Sequence, residues 1–241
     1  MSILIKEIEA FFSTVTGYIV IGVFITVTGL FLWVFKDTSI LDNAYATLDQ
    51  LFFMTPYIFL FLIPALTMRS FADEFQKGTI ELLYTKPITL WTIVWNKYIA
   101  HLILVLITIL LSLIYYYSLN QLASPKGDID HGAIIGSYLG MVLLGAAFTA
   151  IGIFASALSR NQITAFLTGV IINFSIYWGL YYLSRLPIFI GGLDIVIERV
   201  GMDFHYASIS RGNIDTRDLT YFIFIVGLFI SATYMVLKSR K

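Results

Sequence analysis

The sequence predicts an all-α integral membrane protein of six transmembrane helices, and three observations predict it. Of its 241 residues, 59% are hydrophobic and only 12% charged, with a mean hydropathy of +0.86. A soluble domain is about a quarter charged and needs that charge to cover a watery surface. Six stretches are long enough to cross the hydrocarbon core, which takes roughly 20 apolar residues. None alternates apolar and polar positions as the strands of a membrane barrel do, so backbone groups facing lipid must pair within helices.

The six windows are 17–35, 51–68, 99–117, 134–158, 163–183 and 219–237, each free of Asp, Glu, Lys and Arg. Aromatic side chains mark their ends, where amphipathic rings favour the headgroup layer. Trp33 closes the first span, Tyr115, Tyr116 and Tyr117 the third, and Tyr177, Trp178, Tyr181 and Tyr182 the fifth, while Trp91 and Trp95 precede the third. The segment before the first span has no small-residue cleavage site, so that span is expected to stay in the mature chain.

An even span number puts both ends on one side. That side holds nine Lys and Arg (Lys6, Arg69, Lys77, Lys86, Lys97, Arg160, Lys238, Arg240 and Lys241) and five of the acidic residues. The other holds six (Lys36, Lys126, Arg185, Arg199, Arg211 and Arg217) and ten acidic residues. The excess of basic residues places both termini in the cytoplasm.

The composition excludes several functions. Lys+Arg and Asp+Glu are each 15, so no bulk charge points to nucleic acid. With no cysteine there is no disulfide, thiolate metal site or cysteine nucleophile. The phosphate-loop pattern Gly-x-x-x-x-Gly-Lys-Ser/Thr is missing, as are His-Glu-x-x-His and Gly-x-Ser-x-Gly. His101, His131 and His205 are scattered and read as isolated polar residues rather than a metal site. No cofactor and no catalytic residue are expected. Polar candidates near or in the membrane come down to Lys97, close enough to the inner interface to snorkel, His101 and Asn173. That is too few for an ion-coupled carrier.

Three segments do not span. In residues 1–12, Met1, Leu4, Ile5, Ile8, Phe11 and Phe12 fall within an arc of about 120°, with Lys6, Glu7 and Glu9 elsewhere. An interfacial amphipathic helix accounts for this; a plain apolar extension of the first span is the alternative.

The cytoplasmic link over 69–89 is the most distinctive. Ser70 can cap a short helix with Asp73 three residues on, Phe71 and Phe75 share a face, and Gly78 supplies a stop. A second turn runs from Thr79 through Ile80, Glu81, Leu82, Leu83 and Tyr84 until Pro87 ends it. Two readings fit this charged element with an apolar ridge: docking into a groove on a cytoplasmic partner, or packing on the bundle's own underside.

The outer segment, 184–218, is too long for a simple turn and too apolar for a free loop. Asp194 can cap a helix that Gly201 ends, giving a re-entrant or interfacial element before the sixth span.

Pro56 and Pro64 remove hydrogen bonds in the second span and are candidate hinges for gating. Gly132, Gly136 and Gly140 form a small-residue face entering the fourth, suited to packing within the subunit or to a dimer contact.

The stretch RSFADEFQKGTIELLYTKPIT (69–89) resembles the link of ABC-2 type exporter permeases, in which an acidic residue precedes Gly-Thr-Ile/Leu-Glu-x-Leu-Leu and a Pro-Ile/Val pair. The matching residues are Glu74, Gly78, Thr79, Ile80, Glu81, Leu82, Leu83, Pro87 and Ile88. The span order resembles that family over nearly the full length. More narrowly, GYIVIGVF, LFLIPALTMRSFADE, GTIELLYTKPIT and HYASISRGNIDTRDL are similar to the permeases of gliding-motility-associated ABC transporters of Bacteroidota.

The resemblance implies that the link, Phe71 and Phe75 included, is a coupling helix seated in a separate cytoplasmic ABC ATPase subunit. It also implies a second permease chain, identical or different, with a gliding-associated auxiliary membrane subunit as a further partner, in a bacterial inner membrane. ATP hydrolysis would then be another subunit's task. The outer segment would form small gate helices. A large outer domain is missing, which leaves the cargo unnamed. The alternative function is a non-transporting membrane scaffold that anchors gliding or secretion machinery.

Overall fold

The computed structural model describes residues 3–41, 46–85, 87–124, 129–189 and 191–240. Met1, Lys86, Lys126, Ile190 and Lys241 lie outside the described residues, as do the side chains of Leu82 and Leu83. Every regular element among the described residues is helical: α1 (Ile3–Phe12), α2 (Val15–Trp33), α3 (Asp49–Thr67), α4 (Arg69–Gln76), α5 (Ile80–Tyr84), α6 (Leu90–Leu111), α7 (Leu113–Leu122), α8 (His131–Leu158), α9 (Gln162–Phe174), a π-helical turn (Ser175–Gly179), α10 (Leu180–Ser184), α11 (Asp194–Val200), α12 (Met202–Ile209) and α13 (Thr216–Ser239).

Five runs are long and apolar enough to cross a membrane: Asp49–Gln76, Leu90–Leu122, His131–Leu158, Gln162–Ser184 and Thr216–Ser239. The count reaches six if α1 and α2, bent by 66°, are taken as one span. The bend is tight because Gly17 has no side chain; a Cβ there would stand 2.6 Å from the Phe11 ring and 2.9 Å from its carbonyl oxygen.

The helices overrun the expected windows. The second runs on through α4, because Ser70 does not cap: α4 begins at Arg69 with Met68, itself helical, before it. The third begins at Leu90 rather than Ile99, where the Thr89 hydroxyl accepts the N–H of Thr92. Sequence windows stop at Lys97 because it is charged, whereas the helix needs only a cap. At 1.5 Å per residue the 28- and 33-residue runs are about 42 and 50 Å long, well beyond a core of about 30 Å. Both runs are therefore longer than the apolar layer is thick.

The hub is α8, which packs against α3, α4, α6, α9, α12 and α13. Small residues let neighbours close on it: Thr67 meets Gly152, and Val105 meets Gly145. Gly136 and Gly140 are covered by the same chain, by Gly212 and Ile209, while Gly132 is exposed. Pro56 and Pro64 are both buried within α3, which continues through them, and Pro64 packs on Gly169 of α9.

At the end opposite α4, the segment between α10 and α13 folds as α11 and α12. Asp194 is the first helical residue of α11 and makes no side-chain cap, although Gly201 does end the helix. The Tyr206 hydroxyl donates to the Phe52 carbonyl, and Ser137 to that of Ser210, tying the segment to α3 and α8. His205 is not isolated: Nδ1 is 2.7 Å from Asp218 Oδ1, Nε2 is 2.8 Å from the Arg199 carbonyl, and its ring stacks on Tyr221. His131 Nδ1 likewise meets the Tyr116 hydroxyl at 2.7 Å.

Candidate functional site

The elements of the 69–89 link converge on the ends of five other helices. At Met68 the chain turns from α3 into α4, which frees backbone groups that need partners. Ser156 of α8 supplies them. Its hydroxyl accepts the N–H groups of Phe71 (3.0 Å) and Ala72 (3.1 Å) and donates to the Met68 carbonyl (3.0 Å).

On one side of α4 stands Lys97 of α6, 1% exposed. Its ammonium is 2.6 Å from Glu7 Oε1 of α1, 3.0 Å from Glu74 Oε1 and 2.6 Å from the Ser70 carbonyl, so three acceptors meet its three donors. The Phe71 ring lies 5.0 Å from it. Lys97 is therefore a buried node joining α1, α4 and α6, rather than a side chain snorkelling to water. One turn further on, His101 Nδ1 is 2.7 Å from the Lys97 carbonyl. A carbonyl can only accept, so Nδ1 carries a proton, and in the neutral ring Nε2 is then an acceptor.

On the other side, Gln162 of α9 donates to Asp73 Oδ1 (2.9 Å) and accepts from Arg69 Nε (3.2 Å), while Lys77 pairs with Asp73 at 2.7 Å. At the end of α13, Arg240 donates to the Leu158 carbonyl (2.6 Å) and lies 4.9 Å over the Phe75 ring. The Tyr84 hydroxyl of α5 donates to the Leu237 carbonyl.

The apolar ridge divides. Phe71 and Ile80 are buried in the chain's own core and Phe75 is half-buried, so packing on the bundle's underside accounts for them. Gln76, Lys77, Gly78, Thr79, Glu81 and Pro87 are exposed. Gly78 has φ +67°, the Thr79 N–H bonds to the Glu74 carbonyl and the Gly78 N–H to that of Phe75. This is the paired closure of a helix end that a left-handed glycine permits. It turns the backbone away from the bundle at Lys77–Thr79 and holds that turn in one shape.

Two of the cavities among the described residues bear on these ends of the bundle. One of about 600 Å³ lies between α1, α4 and α6 beside Lys97. The other, about 380 Å³, lies at the α12 end between Phe53, Tyr57, Trp178, Asp203 and Arg211. Burial pushes the Asp203 carboxyl above its ordinary range; the Tyr177 hydroxyl opposes this and Glu198 adds to it. Trp178 and Tyr177 sit in the π-helical turn, a local widening that often marks functional positions. Just before it, Asn173 is fully buried with neither amide atom partnered. Among the described residues no three His, Asp or Glu side chains converge as metal ligands.

Sequence reasoning missed Lys97 as a node and Ser156 altogether. The available signal was a lone lysine within an otherwise uncharged helix, with Glu7 and Glu74 lacking obvious partners. Ser156 gave none within the small-residue run of α8.

Long apolar helices around a central one, with polar contacts gathered at the two ends, define a multi-pass membrane protein. A family model described as ABC-2 family transporter protein matches residues 34–191, about two-thirds of the chain, from the end of α2 to the segment before α11. The chain belongs to this family of membrane transport components. Among curated proteins, none matches it.

Proposed function

We propose that the chain is the permease subunit of an ATP-driven ABC-2 type exporter, with hydrolysis carried out by a separate cytoplasmic subunit docked on the α4–α5 turn. The observation that supports this is the contrast within the link. Its buried side ties α1, α6, α8, α9 and α13 together, while Gln76, Lys77, Gly78, Thr79 and Glu81 stand exposed at one end of the bundle. A push on that turn is delivered to the ends of five helices at once. Because the segment is anchored at so many points, it moves as a lever and not as a loose loop.

In this reading Glu74 acts inward through Lys97, whereas Lys77, Gly78, Thr79 and Glu81 meet the ATPase. Phe71, Ile80 and Phe75 hold the lever. Two permease chains and two ATPases form the working unit. The α4 end faces the cytoplasm, in keeping with nine basic residues on that side against six; Lys77→Cys and Asp130→Cys should then label from opposite faces. The similarity to the permeases of gliding-motility-associated ABC transporters supports gliding motility as the process served.

The test is affinity purification from the native membrane. An ATP-binding subunit co-purifies with the wild type, and its ATPase rate depends on the permease. Gly78→Val and Glu81→Lys lose both while the chain stays folded. Unchanged binding and stimulation in these variants would remove the coupling assignment, and a chain needed for motility without any ATPase partner would be a scaffold.

A further inference from the structure

We infer that the cavity between α1, α4 and α6 is a headgroup site for a zwitterionic lipid carrying a primary ammonium, as in an ethanolamine phospholipid. Its wall holds polar atoms that the protein leaves unmet. Ser70 is 2% exposed and lines the cavity, yet its hydroxyl has no partner. Glu74, on the same wall, uses Oε1 for Lys97 and leaves Oε2 buried and unpaired. His101 also lines it and keeps Nε2 as an acceptor once Nδ1–H is given to the Lys97 carbonyl. Buried polar atoms without partners are rare in folded chains and call for a ligand or water.

The chemistry of these atoms selects the ligand. Two acceptors, one of them a carboxylate oxygen, call for a cationic N–H donor, and an ammonium has three such donors. The Ser70 hydroxyl then donates to a phosphate oxygen, with Lys6 and Arg69 lining the same cavity and supplying positive charge. A choline headgroup has no N–H to give. A purely anionic headgroup finds Lys6, Arg69, Lys77 and Lys97 on the same wall as Glu7, Asp73 and Glu74, but it has no cationic N–H to give to Glu74 Oε2.

The lining also has an apolar part, with Phe11, Leu66 and Leu104, that suits the start of an acyl chain. Depth agrees. The cavity lies under amphipathic α1, and Trp91 and Trp95 are exposed on the neighbouring turns of α6, where interfacial rings sit. The cavity shares Lys77 and Thr79 with the coupling turn, but its test reads lipid retention by the chain alone, with no ATPase present, so the two tests stand or fall separately.

The experiment is native mass spectrometry of the purified full-length chain in detergent. It is offered an equimolar mixture of phosphatidylethanolamine, phosphatidylcholine and phosphatidylglycerol with matched acyl chains. The ethanolamine lipid is retained roughly tenfold over the other two, the effect of one charged hydrogen bond. Soluble phosphoethanolamine at equal concentration does not displace it. Ser70→Ala weakens retention of all three lipids, which share the phosphate it meets, and Ala65→Leu, which adds bulk to the cavity wall, removes the preference, with both variants melting close to the wild type. Equal retention of the three lipids, or retention and preference untouched by the two substitutions, overturns the site: its polar atoms are then met by water. Displacement by the soluble headgroup overturns the lipid as its occupant.

Discussion

Lys97 on α6 and Glu74 on α4 face each other with Nζ 3.0 Å from Oε1, and Lys97 is almost wholly buried. Glu7 of α1 closes on the same ammonium from the far side at 2.6 Å. A buried ion pair adds little net stability, but removing one partner is costly because the other charge is stranded. Lys97→Met should cost about 2–4 kcal/mol, somewhat below a fully buried pair because both carboxylates keep some contact with water. The check is thermal unfolding in detergent. In the Lys97→Met, Glu74→Gln double variant the loss should be smaller than the sum of the single losses.

Ser156→Ala removes one hydroxyl that meets three backbone groups where α3 turns into α4. Leaving them buried and unpaired should cost about 1–3 kcal/mol. A second effect distinguishes this from ordinary destabilisation: the α4 amides of Phe71 and Ala72 should exchange with deuterium faster, while α9 exchanges as before.

Asn173 presents the opposite case. Both of its amide atoms are buried without partners inside α9. An apolar group of similar size loses nothing there, so Asn173→Leu should leave stability within about 1 kcal/mol or raise it. A large loss of melting temperature would mean that the amide is met by a partner outside this chain.

Asp203 predicts a pH dependence. Burial raises its carboxyl pKa in the folded chain, so the folded state binds this proton more tightly than the unfolded state. The favourable contribution is present at pH values below the ordinary carboxylate pKa of about 3.9. It declines as pH rises from there through the raised folded value. Asp203→Asn should abolish that decline and be at least as stable as the wild type at neutral pH. Melting curves taken across the acid range check this; an unchanged slope would contradict it.

Much of the fold was legible because lipid imposes simple rules. Apolar runs marked the helices, the amphipathic arc marked α1, and Gly78 marked the end of α4, since a left-handed closing residue is nearly always glycine. What stayed hidden depends on residues far apart in the chain. Lys97 is 90 positions from Glu7 and 23 from Glu74, and periodicity carries no information about such pairs. Ser70 fits a cap by type, yet it lies inside α4, which begins at Arg69, and the Phe71 and Ala72 amides just after it are met by Ser156 instead. The division of the 71–80 ridge into a buried and an exposed side follows from where α8 and α13 pass, which no local pattern records. The π-helical turn at 175–179 was equally invisible, because its residues suit an α-helix.

The chain contains no cysteine, so Lys77→Cys places a single thiol on the exposed turn that is proposed to meet the ATPase. In the native membrane, a thiol-attached photocrosslinker at this position should join the chain to an ATP-binding subunit, and nucleotide should change the yield. The same reagent at Lys36→Cys, at the far end of α2, should give no such product. Crosslinking to the ATPase from Lys36→Cys, or none from Lys77→Cys while the two proteins still co-purify, would contradict the coupling role of the α4–α5 turn.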